Sequence, residues 1–149
     1  MRLVVQRVQE AKVLVDGDVV GGIEQGALMY LGVATDDEEG DYRYLAEKAA
    51  NLRIFDDETG RMNISLVQAG YSALVVSQFT LYGDCRRGRR PDYTQAAPSE
   101  KAVVLYEEFI RSLKDLDVEV EKGEFGANMQ VVSVNDGPVT LLLDSRRNF

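Results

Sequence analysis

The stretch Ala73-Leu74-Val75-Val76-Ser77-Gln78-Phe79-Thr80-Leu81 decides the fold class of this chain. Its consecutive aliphatic residues, which do not alternate with polar ones, predict a strand over residues 73–81 that is buried on both faces. Three polar side chains then arrive together near the end of that strand. Because α/β folds place their sites at strand ends, the stretch also marks the first candidate for chemistry.

Strand signals continue on both sides of this stretch. Aliphatic residues alternate from Leu3 onward, and Asp16-Gly17-Asp18 between two apolar runs is a hairpin signal. The apolar run at residues 27–33 predicts a second buried strand. Four further strands are predicted at residues 53–55, 118–120, 129–134 and 139–143.

Two helices are predicted between the strands. The first covers about residues 37–52, where apolar residues recur at helical spacing behind Thr35 and Glu38, which are spaced as a capping box. The second begins at Pro98, with Glu100 in its first turn. Its predicted buried stripe consists of Ala102, Tyr106, Phe109, Leu113 and Leu116. We expect a single α/β domain over residues 1–149, with a mixed, largely antiparallel sheet covered on one side by two main helices.

Composition excludes several classes of protein. The chain has 149 residues, of which 45% are hydrophobic and 28% charged, a balance typical of a globular domain. Its longest apolar run, residues 27–34, is far shorter than the roughly 20 residues of a membrane-spanning helix. A single cysteine, Cys85, rules out an internal disulfide. These features predict a cytoplasmic protein that contacts no membrane.

The absence of histidine restricts the chemistry further. With none in the chain, Ser-His-Asp and Cys-His catalysis and His-ligated zinc are excluded. The formal net charge of −8 argues against nonspecific binding of nucleic acid, although a local basic patch would still dock an RNA backbone. We expect no metal, no cofactor and no DNA partner.

The polar residues Ser77, Gln78 and Thr80 form the first candidate site. Strand alternation would place Gln78 and Thr80 on one face, with Ser77 and Phe79 on the other. An amide and hydroxyls can polarise a carbonyl or position a water without a charged base. The structural alternative is a strand end whose hydroxyls satisfy nearby backbone groups.

The segment Asn135-Asp136-Gly137-Pro138-Val139-Thr140 is the second candidate. A Gly-Pro peptide adopts the cis form at a cost of only about 0.5–1 kcal/mol, and a cis bond would present backbone carbonyls in an unusual direction. Such a segment suits a ligand held by main chain alone. The alternative is a plain turn between two strands.

The third candidate is Arg86-Arg87-Gly88-Arg89-Arg90-Pro91, in a stretch at residues 83–97 that is predicted to be irregular. Arginine forks match phosphate oxygens, so this loop is a candidate phosphate contact; the alternative is a solvated loop paired with surface carboxylates. Cys85 beside it has no evident base partner and is interpreted as incidental. The acidic runs at residues 36–39 and 56–58 lack the spacing of a Ca²⁺ loop and are interpreted as structural.

With these segments in view, the chain resembles the D-aminoacyl-tRNA deacylases of the bacterial and eukaryotic type, nearly end to end. The resemblance rests on two signature segments, residues 77–80 and 135–140, which are intact and in the expected order. Shorter matches include residues 6–8, 51–55, 88–91 and 125–127, with Met129. Asp92-Tyr93 departs from the family's usual Ser-Phe pair and adds an acidic side chain beside the arginines.

The resemblance implies a homodimer that hydrolyses the ester joining a D-amino acid, or glycine, to the 3′ end of tRNA, with the site at the subunit interface. It implies that Gly137-Pro138 is cis, enters the partner's pocket and excludes L side chains. Phe79 and Met129 are expected to contact substrate, and Ser77, Gln78 and Thr80 to take part in catalysis.

The role of Thr80 is open within the family resemblance. One account makes it the nucleophile, and the other gives it a positioning role while the terminal 2′-hydroxyl of tRNA assists a water. Without histidine, the Thr80 hydroxyl lacks an obvious activating base, which favours positioning. The alternative function is a noncatalytic tRNA-binding homodimer.

Overall fold

The computed structural model describes residues 1–149. Its strands are β1 (Arg2–Val15), β2 (Asp18–Ile23), β3 (Gly26–Gly32), β4 (Arg53–Asp56), β5 (Met62–Ser65), β6 (Ser72–Ser77), β7 (Val120–Lys122) and β8 (Gln130–Asp144). Its helices are α1 (Glu39–Asn51), α2 (Leu66–Ala69) and α3 (Ser99–Asp115), with a 3-10 helix at Phe79–Tyr82.

The long strand β1 organises the sheet. Its first half pairs antiparallel with β3, its second half pairs antiparallel with β2, and β8 runs antiparallel along its other edge. Strand β6 then pairs parallel with both β3 and β7, while β4 and β5 form a separate hairpin. An added Cβ at Gly21 of β2 would collide with the Lys122 carbonyl oxygen of β7, so the curled sheet is nearly closed. The predicted mixed, largely antiparallel sheet is confirmed.

Burial of β6 on both faces is confirmed. Ala73 and Val75 point into a large cluster under α1 and α3, where Phe109 and Leu113 are fully buried. Leu74 and Val76 point into a smaller cluster formed by the curled sheet itself, with members such as Val8, Val13 and Leu28. The helices therefore cover one side of the sheet, and its own curvature covers the other.

Both predicted helices form, but each begins one or two residues later than predicted. Helix α1 begins at Glu39, and its capping box joins Glu38 and Asp41 instead of Thr35 and Glu38. The reason is local: the Asp41 carboxylate accepts from the Glu38 N–H at 2.8 Å. Pro98 caps α3 from outside the helix, which begins at Ser99. The middle of the predicted stripe, Tyr106, Phe109 and Leu113, is buried, whereas its ends are partly exposed.

Three strand predictions need correction. The strand predicted over 73–81 ends at Ser77, where the chain turns into the 3-10 helix, so strand alternation does not apply to Gln78–Thr80. The strand at 118–120 lies at Val120–Lys122, in register with β6. The strands at 129–134 and 139–143 are one strand, because β1 pairs with both parts across an irregularity between them.

The Gly137-Pro138 segment lies at that irregularity, and its peptide bond is cis, as the resemblance implies. No helix of the structure is long and apolar enough to span a membrane.

Candidate active site

A cleft of about 580 Å³ opens where β6 ends, and it contains several of the predicted residues. Ser77, Gln78 and Phe79 form one wall, and Met129 lies on the facing wall with the Phe125–Ala127 segment. Ala97, Pro98 and Ala102 form a third side at the start of α3, above a floor that includes Tyr106. Four of the seven predicted site residues therefore meet in one space.

The 3-10 helix after β6 creates this wall. The Gln78 N–H donates to the Leu31 carbonyl at 2.8 Å, which fixes the last point of strand-like contact. In the first hydrogen bond of the 3-10 helix, the Leu81 N–H donates to the Gln78 carbonyl. The N–H groups of Phe79 and Thr80 therefore have no acceptor within the helix. An added Cβ at Gly32 would lie 3.0 Å from the Gln78 carbonyl oxygen, so glycine allows the turn to pack against β3.

Thr80 stands beside the cleft and is not one of the residues that line it. The Gln78 side-chain amide donates a short hydrogen bond to the Thr80 hydroxyl oxygen. The threonine oxygen is thus an acceptor, and its own proton remains available for donation. No carboxylate, lysine or arginine contacts this hydroxyl to activate it.

No charged side chain lines the cleft, and most of its lining residues are hydrophobic. Its one titratable group is Tyr106, whose hydroxyl donates to the Val75 carbonyl at 2.8 Å. Burial, and next the negative charge of Glu107, raise the pKa of Tyr106 far above its usual range. The cleft can therefore position and polarise a substrate, but it contains no residue suited to removing a proton at neutral pH.

Phe79 extends the hydrophobic wall out to solvent. Its side chain is 58% exposed and packs edge-to-face against Tyr93, with ring centroids 5.1 Å apart. A large aromatic side chain left this exposed at a cleft mouth is typical of a surface that contacts a ligand or a partner.

Gly137 and Pro138 do not line this chain's cleft. They are exposed on β8, in a four-residue segment, 136–139, that has no register partner on β1. The Asn135 side-chain amide closes the segment by donating to the Arg7 carbonyl at 2.9 Å and to the Val139 carbonyl at 3.1 Å. Gly137 has φ +111°, a conformation that favours glycine.

The sequence analysis assigned no role to Arg7, whose side chain packs against this segment. The Arg7 guanidinium donates to the buried Ile54 carbonyl at 2.8 Å and pairs with Asp56 at 3.2 Å. Its Nε lies 2.9 Å from an Asp136 oxygen without hydrogen-bond alignment, so that contact is an ion pair only. The available signal was alternation: Arg7 follows Leu3 and Val5 at every second residue, so it occupies a position expected to be buried.

A sequence model of the family described as D-Tyr-tRNA(Tyr) deacylase matches residues 4–144. The chain belongs to this family. The resemblance noted from the sequence is thereby confirmed, and the chain is an enzyme of the hydrolase class. The D-aminoacyl-tRNA deacylase of Thermosipho africanus is 60% identical, and that of Clostridioides difficile is 54% identical; each match covers 100% of both chains.

Two solved structures share the fold of this chain. A structure titled as the c-Myc DNA Unwinding Element Binding Protein has a TM-score of 0.91 at 38% identity, covering 97% of this chain and 98% of its own. A probable eukaryotic D-amino acid tRNA deacylase has a TM-score of 0.82 at 18% identity, covering 96% and 98%. The second likeness establishes the fold alone.

Proposed function

We propose that this deacylase hydrolyses the ester of D-aminoacyl-tRNA, and of glycyl-tRNA formed on the wrong tRNA, and spares the L esters. One observation carries the proposal: residues 77–79 of the first signature segment form a wall of a cleft that no charged side chain lines. Such a cleft accepts the neutral ester end of an aminoacyl-tRNA. Aminoacyl-tRNAs are formed and used during translation, so we place the protein in the cytoplasm.

The reaction requires only water as a second substrate. Water oxygen attacks the ester carbonyl carbon, the bond from that carbon to the ribose oxygen breaks, and a proton passes to the ribose oxygen. The products are a free amino acid and tRNA with its terminal hydroxyl restored. We assign stabilisation of the negative oxygen of the intermediate to the N–H groups of Phe79 and Thr80, which have no acceptor within the 3-10 helix, at about 2.7–4 kcal/mol per donor.

Thr80 acts as a positioning group in this scheme. Its hydroxyl oxygen is held by the Gln78 amide and has no base beside it, so it lacks the arrangement of an activated nucleophile. We assign the activation of water to the terminal 2′-hydroxyl of the substrate, as the family resemblance implies. Ser77 lines the same cleft, and we assign it a role beside the ester.

Selection against L-amino acids is assigned to the Gly137-Pro138 segment of a second copy. Carbonyl oxygens of this segment would capture the substrate's amino group and leave no room for a side chain of L configuration. Its exposed position outside this chain's own cleft supports a role in the cleft of a partner. Steric exclusion requires a rigid segment, and the contacts of Arg7 and Asn135 hold this one in place.

Strand β8 supplies a surface for that homodimer. It is an edge strand of 15 residues that pairs only with β1, and such edges are rarely left open. Its exposed side chains include Val132, Val134 and Leu142, which are 49%, 44% and 60% exposed. An apolar edge of this length is suited to contact with a second copy, which would bring the two Gly137-Pro138 segments toward the facing clefts.

The test compares D-tyrosyl-tRNA, L-tyrosyl-tRNA and glycyl-tRNA at nanomolar enzyme without added metal. We expect rapid loss of the D ester, measurable loss of the glycyl ester and survival of the L ester. Binding of tRNA without turnover of any ester would instead identify a noncatalytic tRNA-binding homodimer. Equal hydrolysis of the D and L esters would refute selection by the Gly137-Pro138 segment.

A further inference from the structure

A second, polar groove lies at the C-terminal end of the 3-10 helix. It measures about 640 Å³ and is lined by Arg2, Tyr82, Asp84, Arg86 and Gln95, among others. A smaller opening of about 300 Å³ shares Arg2, Tyr82 and Gln95 with it and extends the groove toward Arg146. Unlike the cleft, this groove has charged walls.

The groove begins immediately beyond the cleft. Phe79 at the start of the 3-10 helix lines the cleft, and Tyr82 at its end lines the groove. A 3-10 helix rises about 2 Å per residue, so these two positions are separated by only about 6 Å along the axis. A ligand whose reacting end occupies the cleft would therefore place its adjoining part at the groove.

Arg2 gives the groove a cationic group that is only partly engaged within the chain. The Arg2 guanidinium lies over the Tyr82 ring at 4.5 Å from its centroid and donates to the Leu81 carbonyl at 2.8 Å. It also meets an Asp144 oxygen at 3.3 Å. Two of its five N–H groups are thus engaged, and the remainder are available to a ligand.

The loop at the rim of the groove concentrates positive charge. Residues 84–92 contain four arginines and two aspartates, a formal charge of +2 in a chain whose net charge is −8. Asp84 pairs with Arg86 at 2.6 Å, and hydrogen bonds from Arg86 lower the pKa of Asp84 to about 2. Arg87, Arg89 and Arg90 are exposed and form no ion pair. The loop is therefore not neutralised by the surface carboxylates of the chain.

We propose that this groove and its arginine loop bind the phosphodiester backbone of the single-stranded 3′ end of tRNA, next to the nucleotide that bears the amino acid. The inference rests on the proposed function, because the amino acid in the cleft sets the position of the adjoining nucleotides. Arginine forks match phosphate oxygens, and Arg2 places one such fork in the groove. The overall negative charge makes a local cationic patch necessary for such contact.

The test uses two substrates to distinguish a binding defect in the groove from a defect in the cleft. D-tyrosyl-tRNA carries the phosphates, whereas D-tyrosyl-adenosine carries the same ester without them. The variant R87Q/R89Q/R90Q removes three unpaired charges. The control R43Q/R61Q/R111Q removes three exposed arginines that lie outside the loop at residues 84–92.

The factor by which R87Q/R89Q/R90Q lowers kcat/KM for D-tyrosyl-tRNA should be about 20 times larger at 50 mM than at 200 mM salt, whereas hydrolysis of D-tyrosyl-adenosine should stay within about twofold of wild type at both. Three lost contacts to single-stranded phosphates make the slope of log(kcat/KM) against log[salt] shallower by about 2, which corresponds to about 20-fold between 50 and 200 mM. The control should change neither substrate by more than about twofold.

An equal loss for both substrates would overturn the proposal, because it would show that the loop supports the cleft. No loss for either substrate, or the same loss in the control variant, would also overturn it. If wild type hydrolyses neither ester, the proposed function fails on its own. The groove is then tested by the Kd of uncharged tRNA, which R87Q/R89Q/R90Q should raise by a factor about 20 times larger at 50 mM than at 200 mM salt and the control should not; an unchanged Kd would overturn it.

Discussion

Replacement of Arg7 should loosen the segment that selects the substrate. The guanidinium is 8% exposed, and it holds the Ile54 carbonyl, Asp56 and Asp136 at 2.8, 3.2 and 2.9 Å. Arg7→Met keeps an unbranched stem that can pack in the same place but removes the guanidinium and with it every one of these contacts. The Ile54 carbonyl then loses a charged donor, and two carboxylates lose their counter-charge.

The size of the effect follows from the burial of each partner. Breaking a fully buried ion pair costs about 3–5 kcal/mol, but the side chains of Asp136 and Asp56 are 31% and 50% exposed and can be rehydrated. A hydrogen bond from a charged donor to a buried carbonyl contributes about 1.5–3 kcal/mol. We expect Arg7→Met to lower the free energy of unfolding by about 2–3 kcal/mol, or Tm by about 5–10 °C.

The functional effect should fall on selection. An added Cβ at Gly137 would lie 3.0 Å from Arg7 Nη2, so the guanidinium packs directly beneath the segment. A misplacement of about 1 Å at a positioning group can cost 100-fold in rate. Arg7→Met should therefore lower kcat/KM for D-tyrosyl-tRNA by about 10- to 100-fold. It should also lower the ratio of kcat/KM for the D ester to kcat/KM for the L ester.

The measurements are urea unfolding and parallel deacylation of the D and L esters. Asp56→Asn is the matched control, because it removes only the half-exposed partner and should cost less than about 1 kcal/mol. If Arg7→Met unfolds at the same urea concentration as wild type and retains the D-to-L ratio, the assignment of Arg7 to this segment is wrong.

Three further predictions concern catalysis, packing and pH. Thr80→Ala should retain turnover within about tenfold of wild type, because the hydroxyl positions and does not attack; complete loss, with an acyl-enzyme trapped in wild type, would contradict this. Gly26→Ala should lower the free energy of unfolding by about 1–3 kcal/mol in urea, since its Cβ would collide with the Ser72 carbonyl of β6, whereas Gly40→Ala meets no atom within 4 Å and should not destabilise. Burial raises the pKa of Asp144, but hydrogen bonds from three neighbouring groups outweigh it and hold that pKa below its usual range. Its stabilising contribution is thus present above about pH 4 and lost as the pH falls through the lower, folded value, so Asp144→Asn should show a smaller loss of urea resistance between pH 7 and pH 3 than wild type.

The sequence was sufficient to predict the burial of β6 but not its end. Leu74–Val76 predict a two-faced strand because no polar residue interrupts them, and the structure places both faces in apolar clusters. Phe79 and Leu81 prolong the apolar pattern, which is why the strand was predicted through residue 81. The turn at Gln78 depends on a hydrogen bond to Leu31 and on close packing against Gly32, and neither contact is visible in local sequence.

The second signature segment, residues 135–140, was also only partly predictable from the sequence. Pro138 suggests a break between two strands, yet β8 continues because β1 pairs with it before and after the irregularity. Asn135 and Arg7 stabilise that irregularity across 128 residues of chain. Residue type and spacing identified the segment as important, whereas its support by Arg7 required the tertiary structure. That Gly137 and Pro138 stand outside this chain's own cleft was implied only by the family resemblance.

The claim that two copies share each site is tested most directly by subunit complementation. One subunit carries Ala127→Trp, which fills the cleft, and the other carries G137A/P138A, which alters the selecting segment. The mixed dimer, purified through two different tags, is assayed for hydrolysis of D-tyrosyl-tRNA beside each parent dimer. If the cleft of one copy works with the segment of the other, one intact site remains and the mixed dimer should show about half the wild-type rate, with the L ester spared. A mixed dimer no more active than its parents would contradict the shared site.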